Sequence, residues 1–190
     1  MGNPVLGVVG SGTGGLEQLL PRLIRPAIDA GWTVAVTLTP TAGRWLVQNG
    51  MTAEIEEATG YPVRVEPRFP HEVSPHPPVD CYVVAPASAN TVAKLALGLS
   101  DNQALTQVNE AIGTLGLPIV AFPRVNAAHA RHPAWDGHIS ALRRAGVHLV
   151  YGEDVWPLHE PRSADGRELP WSAILDAVNS TLAARRQPLG

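Results

Sequence analysis

Short, uninterrupted apolar runs alternate along this chain with longer helix-patterned segments, and few architectures satisfy that rhythm. Residues 5–9, 33–38, 63–65, 81–84, 119–122 and 147–150 read as strands. Between them lie helical patterns: one running to about residue 30 and disturbed by Pro21 and Pro26, then 44–58, 90–99, 103–113, 138–145 and a terminal one over 171–184. A strand buried on both faces shows no polar alternation, which marks a parallel sheet covered by helices on each side. The expectation is an α/β fold of three layers around a central parallel sheet, with residues 1–190 as a single domain and no internal repeat. Two segments stand outside the pattern. Residues 67–78 are rich in proline and histidine and cannot form a regular helix, and residues 151–170 are polar and read as a mobile flap.

Charge and cysteine content exclude several classes of partner. The net charge is −3 with no basic run, so neither nucleic acid nor an anionic membrane surface has an electrostatic footprint to meet. No apolar stretch reaches the roughly 20 residues needed to span a bilayer. The N-terminal residues lack a charged region typical of a secretory signal. One cysteine, Cys81, permits no intrachain disulfide and suits a reducing compartment, so a cytoplasmic location is expected. Charged residues make up only 16% of the chain, which is compatible with surface hidden in self-association.

Directly after the first strand comes Gly10-Ser11-Gly12-Thr13-Gly14-Gly15, a G-x-G-x-x-G pattern opening a helix. Glycines permit a tight turn there, and exposed N–H groups at a helix start attract phosphate. A dinucleotide site would call for an acidic residue after the second strand to hold ribose hydroxyls. The sequence instead reads Thr39-Pro40-Thr41-Ala42, which suits a terminal phosphate and hence a mononucleotide. A glycine turn without a ligand is the plainer alternative.

The segment Pro86-Ala87-Ser88-Ala89-Asn90-Thr91 leads from a buried strand into a helix, and it is followed by Lys94, Gly98, Asp101 and Asn102. Small residues let a flat ring approach the backbone, and the polar ones offer hydrogen bonds at a strand's carboxyl end. Ser88 or Asn90 could equally be an ordinary helix N-cap. Together with the glycine loop, this stretch resembles the PASANT signature of the homo-oligomeric flavin-containing cysteine decarboxylases, over nearly the whole chain. The resemblance implies a Rossmann-like (flavodoxin-like) fold and FMN as cofactor. By the same resemblance Gly10, Ser11, Gly12, Thr39 and Thr41 take the phosphate side, while Ser88, Ala89, Asn90 and Thr91 line the flavin. It also implies homotrimers, or multiples of three, with the flavin at a subunit boundary.

On the substrate side the resemblance is partial. The family's P-x-M-N-x-x-M-W clamp, whose Asn holds the substrate carboxylate, corresponds to Pro123-Arg124-Val125-Asn126-Ala127-Ala128-His129-Ala130. Pro123 and Asn126 match, whereas both methionines and the tryptophan are replaced. Arg124 falls beside the flavin position, where a guanidinium could pair with phosphate or carboxylate, or else face solvent or a neighbouring subunit. The family's catalytic histidine has no in-register counterpart. His71 is the better candidate and His76 the other, with a solvated loop residue as the alternative. His129 and His132 lack the companions of a metal site, so no metal is expected. Residues 151–170 contain no cysteine to return a proton to the product. The resemblance therefore implies the oxidative branch: flavin-dependent decarboxylation of a cysteine-type or other small carboxylate, as a small molecule or peptidyl, through a thioaldehyde. Two other readings are an FMN-binding regulatory or partner protein without decarboxylase (lyase) activity, and a prenyl-transferring flavin enzyme, which needs a basic pocket that sequence does not locate.

Overall fold

The computed structural model describes the backbone of residues 2–163 and 166–186. Five strands form one sheet: β1 (Val5–Gly10), β2 (Thr33–Leu38), β3 (Cys81–Ala87), β4 (Ile119–Pro123) and β5 (His148–Leu149). All pairings are parallel and the spatial order is β2-β1-β3-β4-β5. The chain leaves β1 toward one edge and returns to β3 on its other side, so the connections after these two strands diverge and open a crevice at their carboxyl ends.

The apolar runs are explained by burial on two sides. Leu6, Val8, Val83, Ala85, Val120 and Phe122 belong to one buried cluster with Leu23, Ile24, Leu46, Ile55, Ile174 and Val178. Their strand neighbours Val9, Val84, Ile119 and Ala121 belong to a second, with Val92, Leu95, Leu105, Val108, Ile139 and Leu142. Alternate residues thus feed opposite layers, and each fully buried aliphatic side chain contributes about 1.5–3 kcal/mol. The helices supplying those layers are α1 (Arg25–Asp29), α2 (Pro40–Gln48), α3 (Met51–Thr59), α4 (Ala89–Leu97), α5 (Gln103–Gly113), α6 (Ala127–Ala130), α7 (Trp135–Arg144) and α8 (Trp171–Arg186).

Proline leaves its mark where the sequence suggests. The stretch before α1 runs as a 3-10 turn (Leu16–Gln18) and then a π segment (Leu20–Ile24), with Pro21 and Pro26 each near the start of a new piece. Two expectations need correction. The helix expected over residues 44–58 is two helices, because Gly50 takes a left-handed φ of 70° between α2 and α3. The strand expected at 63–65 is a single parallel bridge from Arg64 to Thr37, since residues 67–78 leave the sheet edge at once. Residues 151–163 and 166–170 carry no helix or strand, and 164–165 of the expected flap lie outside the described residues. Among the described residues no helix is long and apolar enough to cross a membrane.

Candidate functional site

The crevice at the carboxyl ends of β1 and β3 is a cavity of about 580 Å³, lined by Gly12, Thr39, Thr41, Ser88, Asn90 and Arg124 among others. Its walls come from three strand-to-helix connections, after β1, β2 and β3, together with the segment following β4. Ser11 ties two of them together. Its hydroxyl donates to the Pro86 carbonyl at 2.8 Å and accepts the Ser88 N–H at 2.7 Å. A third wall is fixed by the Thr39 N–H, which donates to the Gly10 carbonyl at 3.0 Å. The segment after β4 is held by the Arg124 N–H, which donates to the Ala87 carbonyl at 2.7 Å.

The glycines act by what they leave out. A Cβ on Gly12 would lie 2.6 Å from Thr41 Cγ2, so the loop backbone runs flush against the start of α2. A Cβ on Gly10 would lie 2.9 Å from both Leu16 and Leu38, which makes Gly10 a packing residue behind the cavity wall. Gly15 has φ 93°, and a Cβ there would meet Leu169 Cδ1 at 2.2 Å. The result is a thin backbone ledge facing the hydroxyls of Thr39 and Thr41, and these hydroxyls and amides carry no negative charge to repel a phosphate. The small side chain of Ala89 leaves the facing wall low. These features fit a mononucleotide such as FMN: anion-compatible donors at one end, a flat approach beside Ser88–Thr91 at the other, and a volume within the usual range for ligand sites.

The residues singled out from sequence divide by position. Gly12, Thr39, Thr41, Ser88, Ala89, Asn90, Thr91 and Arg124 all line the cavity, joined by Lys94, Asp101 and Asn102. Ser88 is also the N-cap of α4, accepting from the Thr91 N–H at 3.3 Å. Gly10 and Ser11 sit behind the lining; Ser11 is buried and its hydroxyl is engaged by protein. Asn126 opens onto an adjoining, mainly apolar cavity of about 490 Å³, which shares Ala89 and His129 with the first. Its Oδ1 caps α6, accepting from the His129 N–H at 3.0 Å, with the His129 ring Nδ1 at 3.1 Å. The side-chain oxygen of Asn126 is thus engaged by the protein, and Asn126 is one of the polar residues lining that cavity.

His71 is not brought to this cavity within the chain. It lies exposed and stacks on Phe69 with ring centroids 5.8 Å apart. His76 is buried and its Nε2 is 2.7 Å from the Pro62 carbonyl, a structural hydrogen bond. Among the described residues no group of His, Cys, Asp and Glu is arranged to hold a metal.

Sequence reasoning missed the aromatic support under Arg124. Its guanidinium carbon is 4.6 Å from the Trp156 ring centroid, and that of Arg167 is 4.4 Å from the same centroid. Burial, reinforced by the charge of Arg167, holds the Arg124 pKa below the ordinary guanidinium value, with Glu17 acting oppositely. No local pattern signals a contact between residues so far apart in sequence.

Strand order and crevice together define the flavodoxin-like class of α/β proteins, with the cavity at the topological switch point. The profile of the Flavoprotein family matches residues 3–183, and the chain belongs to that family. It is 30% identical over 113 residues to the coenzyme A biosynthesis bifunctional protein CoaBC of Thermococcus kodakarensis, covering 60% of this chain and 24% of that protein. It is 34% identical over 71 residues to a cysteine/cysteine sulfinic acid decarboxylase from an unidentified prokaryote, covering 37% of this chain and 19% of that protein. The match thus spans about a quarter or less of each of these curated relatives. Among solved structures, the FMN-dependent cysteine decarboxylase TvaF from thioviridamide biosynthesis superposes with TM-score 0.69 at 23% identity, covering 96% of this chain and 99% of TvaF. HAL3 from Cryptococcus neoformans superposes with TM-score 0.70 at 18% identity, covering 98% of this chain and all of that one. At these identities the superpositions speak to the fold.

Proposed function

We propose that this flavoprotein binds FMN in the switch-point cavity and acts as a decarboxylase on a cysteine-type or other small carboxylate substrate. The observation that carries the reading is the cavity itself, where a glycine ledge faces Thr39 and Thr41 at one end and Ser88–Thr91 at the other. The relatives support the chemistry by name: TvaF is an FMN-dependent cysteine decarboxylase, and a second relative is a cysteine/cysteine sulfinic acid decarboxylase. Gly12 and Thr41 hold the phosphate end, Ala89 and Asn90 border the ring, and Ser11 acts indirectly by fixing the two loops. Bound FMN supplies the two-electron acceptor for oxidative decarboxylation. The chain contributes orientation: the Asn126 amide N–H donates to the substrate carboxylate at the mouth of the adjoining cavity.

A second reading, an FMN-binding partner or regulatory protein without turnover, is favoured by one observation. His71, the candidate for acid–base work, stands away from the cavity within the chain. The two readings part on one experiment. Heat-released flavin is identified by chromatography, and cysteine-terminated peptides are incubated with the protein and followed for loss of CO2 mass. FMN with mass loss supports the enzyme; FMN without it, across a peptide panel, supports the partner reading. A protein that stays colourless in added FMN defeats both.

Assembly and setting complete the proposal. Trp45, Val47, Phe69, Val73, Leu97 and Leu115 are large apolar side chains exposed on the single chain, and self-association as a trimer or multiple of three would cover such surface. The compartment proposed is the cytoplasm, in keeping with one cysteine, Cys81, buried in β3.

A further inference from the structure

Gly7 interrupts the aliphatic run of β1, and its bare backbone is filled from the next strand. A Cβ there would lie 2.6 Å from two ring carbons of Tyr82, so the glycine lets the phenol pack directly against β1. The Tyr82 ring borders a further cavity, of about 600 Å³, between α5 and the stretch that leaves the sheet edge at Arg64. Arg64 and Arg68 line it from that stretch, while Gln103, Thr106 and Glu110 line it from one face of α5. It shares no lining residue with the cavity proposed for FMN.

The charges around this cavity do not meet. Arg64 is 8% exposed, and among the described residues its guanidinium has no hydrogen-bond or ion-pair partner. A buried cation without an acceptor is costly unless something supplies one. Burial, with the charge of Arg68, holds the Arg64 pKa below the ordinary guanidinium value, and Tyr82 opposes that shift. Arg68 is itself engaged, donating to the carbonyls of Phe69 and Glu72. On the α5 side Glu110 presents a carboxylate that forms no salt bridge among the described residues, although Arg64 borders the same space. Tyr82 feels both charges: burial, then Glu110, raise its pKa while Arg64 lowers it. Its hydroxyl therefore keeps its proton and remains a donor. By contrast, the Thr106 hydroxyl is already given to the Asn102 carbonyl.

We infer that Arg64, Tyr82 and Glu110 form a binding site for a small zwitterion, an amino acid or a related ammonium carboxylate. The ligand carboxylate accepts from the guanidinium fork of Arg64 and from the Tyr82 hydroxyl, and the ammonium group faces Glu110. An anion alone would satisfy Arg64 but be repelled by Glu110, and a cation alone would meet Arg64 and Arg68. A ligand carrying both charges answers both walls. The site goes beyond the proposed decarboxylase function and does not depend on it. It would also tell an amino acid from the amine left by decarboxylation, because the amine has lost the group that Arg64 holds.

The test is calorimetric titration of the protein as purified with glycine, β-alanine and γ-aminobutyrate, with acetate and ethylamine as singly charged controls, at constant ionic strength. Saturable binding of at least one zwitterion is expected, with acetate and ethylamine bound about tenfold more weakly or less. Arg64→Gln and Glu110→Gln should each weaken the zwitterion by about tenfold or more. The best binder of the series then gives the charge separation that the site prefers. Glu110 stands on an exposed face of α5, so Glu110→Gln decides the question even where Arg64→Gln fails to fold. Absence of binding by all three zwitterions overturns the inference. Acetate binding as tightly as the zwitterions, or unchanged affinity in Glu110→Gln, overturns it as well. If no zwitterion binds and Arg64→Gln lowers the mass seen by light scattering, the arginine serves a contact between copies of the chain instead. A negative result here leaves the flavin reading standing, and a protein that takes up no FMN can still be titrated, because the two cavities have separate linings.

Discussion

The hydroxyl of Ser11 accepts the backbone N–H of Ser88 across 77 positions of sequence, at 2.7 Å, while donating to the Pro86 carbonyl at 2.8 Å. One buried side chain therefore sets the spacing of the two loops that face each other over the cavity. Ser11→Ala leaves the Ser88 N–H without its acceptor, at a cost of about 1–3 kcal/mol. Urea denaturation should show that loss, and FMN should be held more weakly by the folded protein. Unchanged stability and unchanged flavin affinity would remove Ser11 from this role.

The limits of reading the sequence follow from the same relationship. The strands and their central placement were legible because burial on both faces imposes uninterrupted apolar runs, as in Val5–Gly10 and Cys81–Ala87. The cavity-lining hydroxyls and amides at Thr39, Thr41 and Ser88–Thr91 were legible because they follow those strands directly. The break at Gly50 was not, because a glycine within a helical pattern gives no sign of whether its φ will be positive. Nor was the strand near residue 64 correctly read, since a local apolar run does not tell how many partners a sheet edge will give it. The pairing of Ser11 with Ser88, and of Arg124 and Arg167 with Trp156, depends on tertiary placement and leaves no periodic trace.

Binding and turnover should separate at two residues. Asn126→Asp keeps an oxygen to cap α6, so fold and flavin content should persist. It loses the amide donor and places a negative charge at the carboxylate site, so turnover of a peptide substrate should drop by tenfold or more, from about 1.5–3 kcal/mol for the lost charged hydrogen bond. Thr41→Val should first weaken FMN retention, measured as the dissociation constant of flavin fluorescence quenching. Equal flavin loss in both variants would make Asn126 a cofactor or structural residue.

Gly15→Ala combines a left-handed φ of 93° with a Cβ position 2.2 Å from Leu169 Cδ1. We expect destabilisation by more than about 1 kcal/mol. Leu169→Ala in the same background should recover the steric part and leave the backbone part, so a double-mutant cycle will be non-additive. Additive losses would show that the two residues do not press on each other.

Acid should weaken the fold through two imidazoles, one buried and one half-buried, whose protonation the fold disfavours. Burial holds His76 below the ordinary histidine value, opposed by its hydrogen bond to Pro62 and assisted by Arg64. Burial, with Arg124 and Arg167, lowers His159 in the same direction. As pH falls below the ordinary histidine value of about 6.5, the unfolded chain takes up protons that the folded chain still refuses. Stability is therefore complete above that pH and is lost progressively as pH falls toward the depressed folded values. Urea midpoints measured from about pH 8 down to about pH 5 should fall less in His76→Gln than in the parent. An identical slope would clear His76 of the effect.

Light scattering of the flavin-loaded protein at micromolar concentration should give three times the chain mass, or a multiple of that. Trp45→Lys or Leu97→Lys, each on the exposed apolar surface, should shift the distribution toward smaller species. A clean monomer with flavin bound would contradict the assembly.

The cap at Asn126 also bears on how such a site can change over generations. The folding requirement at that position is only a short side chain with an oxygen for the His129 N–H, which Asp, Ser or Thr also satisfies. The same position faces the adjoining cavity, where those residues present a negative charge, a neutral hydroxyl or a bulkier one. Selection can therefore exchange one ligand preference for another at residue 126 with little penalty in folding. A descendant of this chain with a new substrate could keep its helix, its loops and its cofactor, and differ at the cap alone.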